Sequence, residues 1–170
     1  MHEKGLIRPA TAQDAAKIAA VHVACWRESY GGIVTQDYLD NMSMEARFER
    51  WAKYLGAATP GSATFVLEVA GNILGFCDVG PAREDDFGVK GELYALYLLQ
   101  QAQGAGWGRK LFNEGQKSLK SMGMQNMYAW VLAENKTRHF YSHLGGRQIG
   151  AKTIEIGGAT LDEIAMVWEV

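Results

Sequence analysis

The chain has 170 residues, 48% of them hydrophobic and 21% charged. That suits one globular domain, residues 1–170, long enough to bury a core, and it excludes a disordered tail. Lys and Arg total 17 against 19 Asp and Glu, a net charge of −2 without a basic stripe, so nucleic-acid binding through phosphates has no support. Cys25 and Cys77 make neither a disulfide framework nor a zinc spacing, and read as core thiols of a reducing cytoplasm. No apolar run reaches the roughly 18 residues of a membrane span or the length of a signal segment, which predicts a soluble, cytoplasmic protein without a membrane partner.

In chain order, Gly5 to Arg8 suits a short strand. Thr11 to Ser29 is helical, with Ala15, Ile18, Ala19, His22, Cys25 and Trp26 at helical spacing, and Gly31-Gly32 ends it. Thr35 to Asn41 has room for one helical turn. Ser43 caps a second long helix with Phe48, Trp51, Ala52 and Leu55 on its apolar face, closed by Gly56 and Pro60-Gly61. The period then changes. Thr64 to Val69 and Ile73 to Val79 are strands about a Gly71-Asn72 turn, and Pro81 to Lys90 is a polar loop. Glu92 to Leu99 suits a central strand, with Glu92, Tyr94, Leu96 and Leu98 on one face and Leu93, Ala95, Tyr97 and Leu99 on the other. A Gly-rich loop follows, then a helix from Arg109 to Met122, a strand from Asn126 to Leu132, and a helix from Lys136 to Leu144 capped by Asn135. Strands near Arg147 to Ile156 and Thr160 to Glu169 flank Gly157-Gly158. Hairpins alternate with crossovers, which predicts an α/β domain: one mixed sheet with helices on both faces.

The loop Gln103-Gly104-Ala105-Gly106-Trp107-Gly108 carries the strongest chemical signal. Glycines let backbone approach a ligand, and the free N–H groups of the following helix converge on one spot, as at a phosphate site. The spacing matches neither a dinucleotide fingerprint nor a P-loop. A glycine-rich turn with no ligand stays open on the loop alone.

The same residues resemble the Q/R-x-x-G-x-G/A motif of the GNAT superfamily of acetyl-CoA-dependent N-acetyltransferases, in the expected place between the fourth strand and third helix. Val131-Leu132-Ala133-Glu134-Asn135 with Phe140-Tyr141 and Leu144-Gly145 is similar to a later family segment, as are Ile7-Arg8-Pro9-Ala10 with Asp14 and Ile18 at the start and Gly158 to Trp168 at the end. The resemblance covers roughly residues 6 to 169. Gln100 stands where the family often has Pro, and Trp107 where it usually has a smaller aliphatic residue.

The resemblance implies a mostly antiparallel sheet of about six to seven strands and about four helices, with the fourth and fifth strands splayed to admit the cosubstrate arm. It puts the pyrophosphate of acetyl-CoA on the backbone of Gln103, Gly104, Ala105, Gly106, Trp107, Gly108 and Arg109. It puts the acetyl carbonyl near Leu98 and Leu99, where a bulge frees an N–H, and Asn135 against the cofactor arm or simply on its helix cap. Tyr141 falls where many members carry a general acid, with a core aromatic as the alternative. Glu92 is the candidate base, with a solvated strand-end charge or a water chain in that role as alternatives. Trp26 and Tyr30 are expected at the acceptor wall; Tyr94 and Tyr97 line it or fill the sheet.

His139 and His143 lie four apart on a helix without a third ligand, so no metal site is expected. The reading is acetyl transfer by direct attack to a primary amine of a small molecule or peptide, with a homodimer open. A non-catalytic acyl-CoA sensor or pseudoenzyme on the same fold is the alternative, and another nucleotide-binding α/β domain is weaker because its spacings fail.

Overall fold

Period-two apolar segments bounded by tight turns pair into antiparallel ribbons, and their helical neighbours cover the two faces. The computed structural model describes residues 4–57 and 59–170. Its strands are β1 (Gly5–Pro9), β2 (Ala63–Val69), β3 (Asn72–Pro81), β4 (Gly91–Leu98), β5 (Asn126–Leu132), β6 (Arg147–Ile156) and β7 (Ala159–Glu169). Its α-helices are α1 (Ala15–Ser29), α2 (Gln36–Asp40), α3 (Met44–Gly56), α4 (Trp107–Ser121) and α5 (Thr137–His143). The strands form one sheet in the order β1-β2-β3-β4-β5-β7-β6. Only β4 and β5 run parallel, joined across the sheet by α4.

α1 and α3 cover one face. Ile18, Ala19 and Cys25 meet Trp51, Val66 and Phe76 there. α4 and α5 lie with a second cluster, in which Leu111, Phe112, Leu119 and Tyr141 pack on Cys77, Met127 and Trp168. Each such buried side chain contributes about 1.5–3 kcal/mol of transfer free energy. α4 comes very close to the sheet because Gly115 faces it: a Cβ there would lie 2.8 Å from Val79 and 3.0 Å from the Cys77 sulfur.

Three local expectations are corrected. The β2–β3 turn is Ala70-Gly71, not Gly71-Asn72: Val69 pairs with Asn72, and Ala70 and Gly71 have φ of 49° and 78°. With positive φ at both central positions this is a type I′ turn, and the strand register puts Ala70 at the first of them. Phe48 is 43% exposed rather than in the α3 core, whereas Trp51 is buried. α5 begins at Thr137 with Lys136 at its N-cap, not Asn135; Asn135, one residue earlier, accepts the Thr137 N–H on its Oδ1 at 3.0 Å. Among the described residues, no helix is long and apolar enough to cross a membrane.

Candidate active site

β4 and β5 pair at only two positions, Gly91 with Met127 and Glu92 with Tyr128, and then part. A β-bulge lies where they separate. Asp78 of β3 faces Ala95 while Val79 faces Leu93, so Tyr94 is an extra residue in β4. The bulge resets the alternation of side chains. Leu93, Leu96 and Leu98 therefore share the α4 face, and Ala95, Tyr97 and Leu99 share the α1 face. The uninterrupted alternation expected for this strand is corrected on that ground.

Beyond the bulge, the open edge of β4 keeps free backbone groups. The Leu99 N–H donates to Leu74 O at 2.9 Å on β3. Hydrogen-bonding directions alternate along a strand, so the N–H groups of Leu98 and Leu96 point the other way, into the gap. Leu98 thus borders the gap. The Leu99 N–H is engaged with β3, and the bulge sits at Tyr94 rather than beside Leu98 and Leu99.

The glycine loop lies at the mouth of this gap. Gln103 ties it to the strand end, its Nε2 donating to Leu98 O at 2.9 Å. Gly104 and Gly106 have φ of 81° and 83°, and a Cβ at either would meet nothing within 4 Å. Glycine is thus required by backbone conformation, not by crowding. Gly106 is the N-cap of α4 and no side chain caps the helix. The amides of Trp107, Gly108 and Arg109 precede the first intrahelical bond, from Lys110 N–H to Gly106 O at 3.1 Å. Exposed amides and a helix dipole make an anion cradle. Gly104, Ala105, Gly106 and Arg109 are exposed there. The Trp107 ring turns away from the loop, packing against Gly5 of β1 under the Lys110 ammonium.

Three tyrosines from distant segments converge on the gap. Tyr141 is buried in α5, edge-on to Trp168 at 5.2 Å. Burial holds its hydroxyl pKa well above the ordinary phenol value, and Tyr97 and Cys77 add to that. Tyr97 accepts a hydrogen bond from Trp26 Nε1 at 3.1 Å, and Tyr30 lies near enough to act on it electrostatically. Burial likewise raises the Tyr30 pKa, with Tyr97 and Tyr141 adding to that and the nearby Asn135 side chain opposing it. Trp26 stacks edge-on against Tyr30 at 4.3 Å. Trp26, Tyr30, Tyr97, Asn135 and Tyr141 are therefore brought together.

Glu92 and Tyr94 stand apart from that group. Glu92 is 1% exposed at the closed end of the β4–β5 pair. Its carboxylate accepts from the Arg83 N–H at 2.9 Å, from the Arg83 guanidinium, and from Tyr128 Oη at 2.9 Å. Its lone pairs are occupied, and it secures the loop after β3. The Tyr94 hydroxyl donates to Pro81 O, and the Arg83 guanidinium lies over its ring at 4.9 Å. Neither residue faces the tyrosine cluster. A polar carboxylate nearby went unremarked in the sequence: Asp78 at the bulge is buried, accepting from Thr64 Oγ1 at 2.8 Å and Tyr54 Oη at 3.0 Å. Burial pushes its pKa up to about 6. Arg47 was also missed; it lies 6.0 Å from the Trp26 ring centroid, and a lone charge beside an apolar helix stripe gives no signal of that contact.

The family model for the acetyltransferase (GNAT) domain matches residues 60–145. The uncharacterized N-acetyltransferase YuaI of Bacillus subtilis is 32% identical over 163 residues, covering 95% of this chain and 91% of that protein. The probable N-acetyltransferase Rv2775 of Mycobacterium tuberculosis is 29% identical, over 83% of this chain and 81% of its own. Among solved structures, the PaiA N-acetyltransferase of Thermoplasma acidophilum in complex with coenzyme A superposes with a TM-score of 0.75 at 17% identity, over 98% of this chain and 99% of that one. YncA of Salmonella typhimurium with its cofactor acetyl-CoA gives 0.73 at 20% identity, over 98% and 94%.

Proposed function

The chain belongs to the GNAT acetyltransferase family, and from that premise we propose that it transfers the acetyl group of acetyl-CoA to a primary amine by direct attack, with Tyr141 as the general acid. The observation that carries this reading is the gap itself: two parallel strands that pair at two positions and part at a bulge, with an anion cradle at the mouth and a buried phenol inside. Acetyl-CoA is the cosubstrate. The residues fit it. The amides from Gly104 to Arg109 suit the pyrophosphate, the inward N–H groups of Leu96 and Leu98 suit the amides of the pantetheine arm and the thioester carbonyl, and Asn135, buried near Tyr30, borders the path.

A primary amine with a pKa near 10.4 is only about one part in a thousand neutral at physiological pH, so attack needs a route for the amine proton. Glu92 is closed off by its donors, which favours a water chain out of the gap. Loss of that proton frees the amine lone pair to form the C–N bond, while donors on β4 hold the developing oxyanion. The C–S bond then breaks, and Tyr141 Oη supplies a proton to the departing sulfur. The phenol is protonated at neutral pH, as the acid must be, and it regains its proton through water from the newly acylated nitrogen, which sheds one as the amide forms. The acceptor is an amine of a small molecule or peptide, and two free, buried thiols, Cys25 and Cys77, fit a reducing cytoplasm.

The test is release of free CoA thiol from acetyl-CoA across a panel of amines, for wild type and Tyr141→Phe. A general acid contributes about 10²–10⁴ in rate. The variant is expected to lose turnover by about that factor while keeping its affinity for acetyl-CoA. Unchanged turnover with a productive amine would remove the acid role from Tyr141.

A further inference from the structure

An open cavity of about 540 Å³ lies between α2, α3 and the β6–β7 turn, beside the tyrosine cluster. Arg47 and Arg50, one turn apart on α3, line it, together with Asp37, Tyr38, Thr35 and Asn41. Two cations against one carboxylate leave its wall positive, although the whole chain is slightly acidic. Among the described residues, neither arginine is in an ion pair, whereas Arg8 and Arg83 both are.

The cavity is connected to the chemistry through aromatic contacts. The Arg47 guanidinium stands over Trp26, which meets Tyr38 at 6.3 Å and Tyr30 at 4.3 Å. Trp26 also donates to the Tyr97 hydroxyl. Arg47 acts electrostatically on Tyr97, and both arginines act on His22. His22 stacks on Tyr97 at 5.1 Å, and its Nδ1 accepts from Trp51 Nε1 at 3.3 Å. Burial and the two arginines hold its pKa down to about 3, so it stays neutral and adds no further positive charge beside Arg47. A half-buried guanidinium without a carboxylate partner, over an aromatic face and at the edge of a cavity, is built for a planar anion held by two parallel hydrogen bonds.

Resting on the acetyltransferase reading, we propose that the acceptor is an amine whose chain carries a carboxylate several bonds away, as the ε-amine of lysine does, with the carboxylate on Arg47 and Arg50 in the α2–α3 cavity and the amine reaching past Trp26 and Tyr30 into the strand gap. Polyamines are the disfavoured class, because their second charge would face two guanidinium groups.

The experiment compares matched pairs: an amino acid with a distal amine and its decarboxylated counterpart, such as lysine with cadaverine and 6-aminohexanoate with pentylamine. Thiol release gives kcat/KM for each, and calorimetry on the CoA-loaded enzyme gives binding of the same compounds. The carboxylated member is expected to be preferred by about 100-fold, as for a charge pair bonded in a partly desolvated site. Arg47→Gln should cut that preference at least about tenfold, through KM, while acetyl-CoA affinity holds; Arg47→Lys should retain part of it. Equal use of both members, or an Arg47→Gln loss that falls equally on both, would overturn the proposal and leave the transferase standing. Arg47-dependent binding of the amino acid with no thiol released from any amine would support the anion site and overturn the transferase. Neither binding nor release would overturn both.

Discussion

Gly106 and Gly158 provide a matched pair of perturbations. Their φ angles are 83° and 81°, and a Cβ at either would meet nothing within 4 Å. Alanine at each position therefore costs only the left-handed backbone penalty, about 1–2 kcal/mol. At this chain length that lowers Tm by roughly 2–4 °C per kcal/mol, so about 2–8 °C in both variants. The two differ in place. Gly158 lies in the β6–β7 turn, while Gly106 is the N-cap of α4 and aims the first amides of that helix. Relief of the strain at 106 rotates those amides off a bound pyrophosphate. A hydrogen bond to a charged group contributes about 1.5–3 kcal/mol, so losing one weakens acetyl-CoA binding by about 10- to 100-fold. Calorimetric titration of Gly106→Ala and Gly158→Ala, with thermal melts of both, separates the effects. The account expects equal melts and weakened binding in Gly106→Ala alone. Wild-type affinity in Gly106→Ala would refute the loop as the phosphate cradle, and equal weakening in Gly158→Ala would show a global effect.

Two further predictions concern buried carboxylates. Asp78 has its pKa raised by burial from 3.8 to about 6, so the folded state binds this proton more tightly than the unfolded chain. Its contribution to stability is complete below about pH 4 and is lost as pH rises through 6, about 3 kcal/mol for two pKa units. Asp78→Asn, which keeps an acceptor for Thr64 and Tyr54, should be about 2–3 kcal/mol more stable than wild type in urea at pH 8 and nearly equal at pH 4; an equal gap at both pH values would contradict burial as the cause. Glu92→Gln should cost about 1–2 kcal/mol, discounted because the Arg83 side chain is 63% exposed, and should leave the pH profile of kcat/KM intact. If that variant stays folded and loses the acidic limb of the profile, Glu92 is the base after all.

Much of the architecture was legible because period carries it. The helical spacing of Ala15, Ile18 and Cys25 and the paired β-rich segments around residue 70 marked the element order directly. The glycine loop was legible because it is contiguous. What escaped was long-range or one residue wide. The bulge at Tyr94 depends on how β3 and β4 count against each other, and it moved Leu93 to the opposite face from Ala95. The Ala70-Gly71 turn was missed by one position because Asn72 is an equally good turn residue by composition. Glu92 read as a candidate base or a solvated strand-end charge; its closure depends on Arg83 returning from a loop and on Tyr128 from the neighbouring strand. The meeting of Tyr30, Tyr97 and Tyr141 joins α1, β4 and α5, which no local pattern reports.

The most direct test of the central claim is calorimetric titration of the purified protein with acetyl-CoA, with NAD and ATP as separate comparisons. The account predicts saturable, selective binding of acetyl-CoA. Absence of acetyl-CoA binding by the folded protein would contradict it and remove the acyl-transfer reading together with the cradle assigned to residues 103–109.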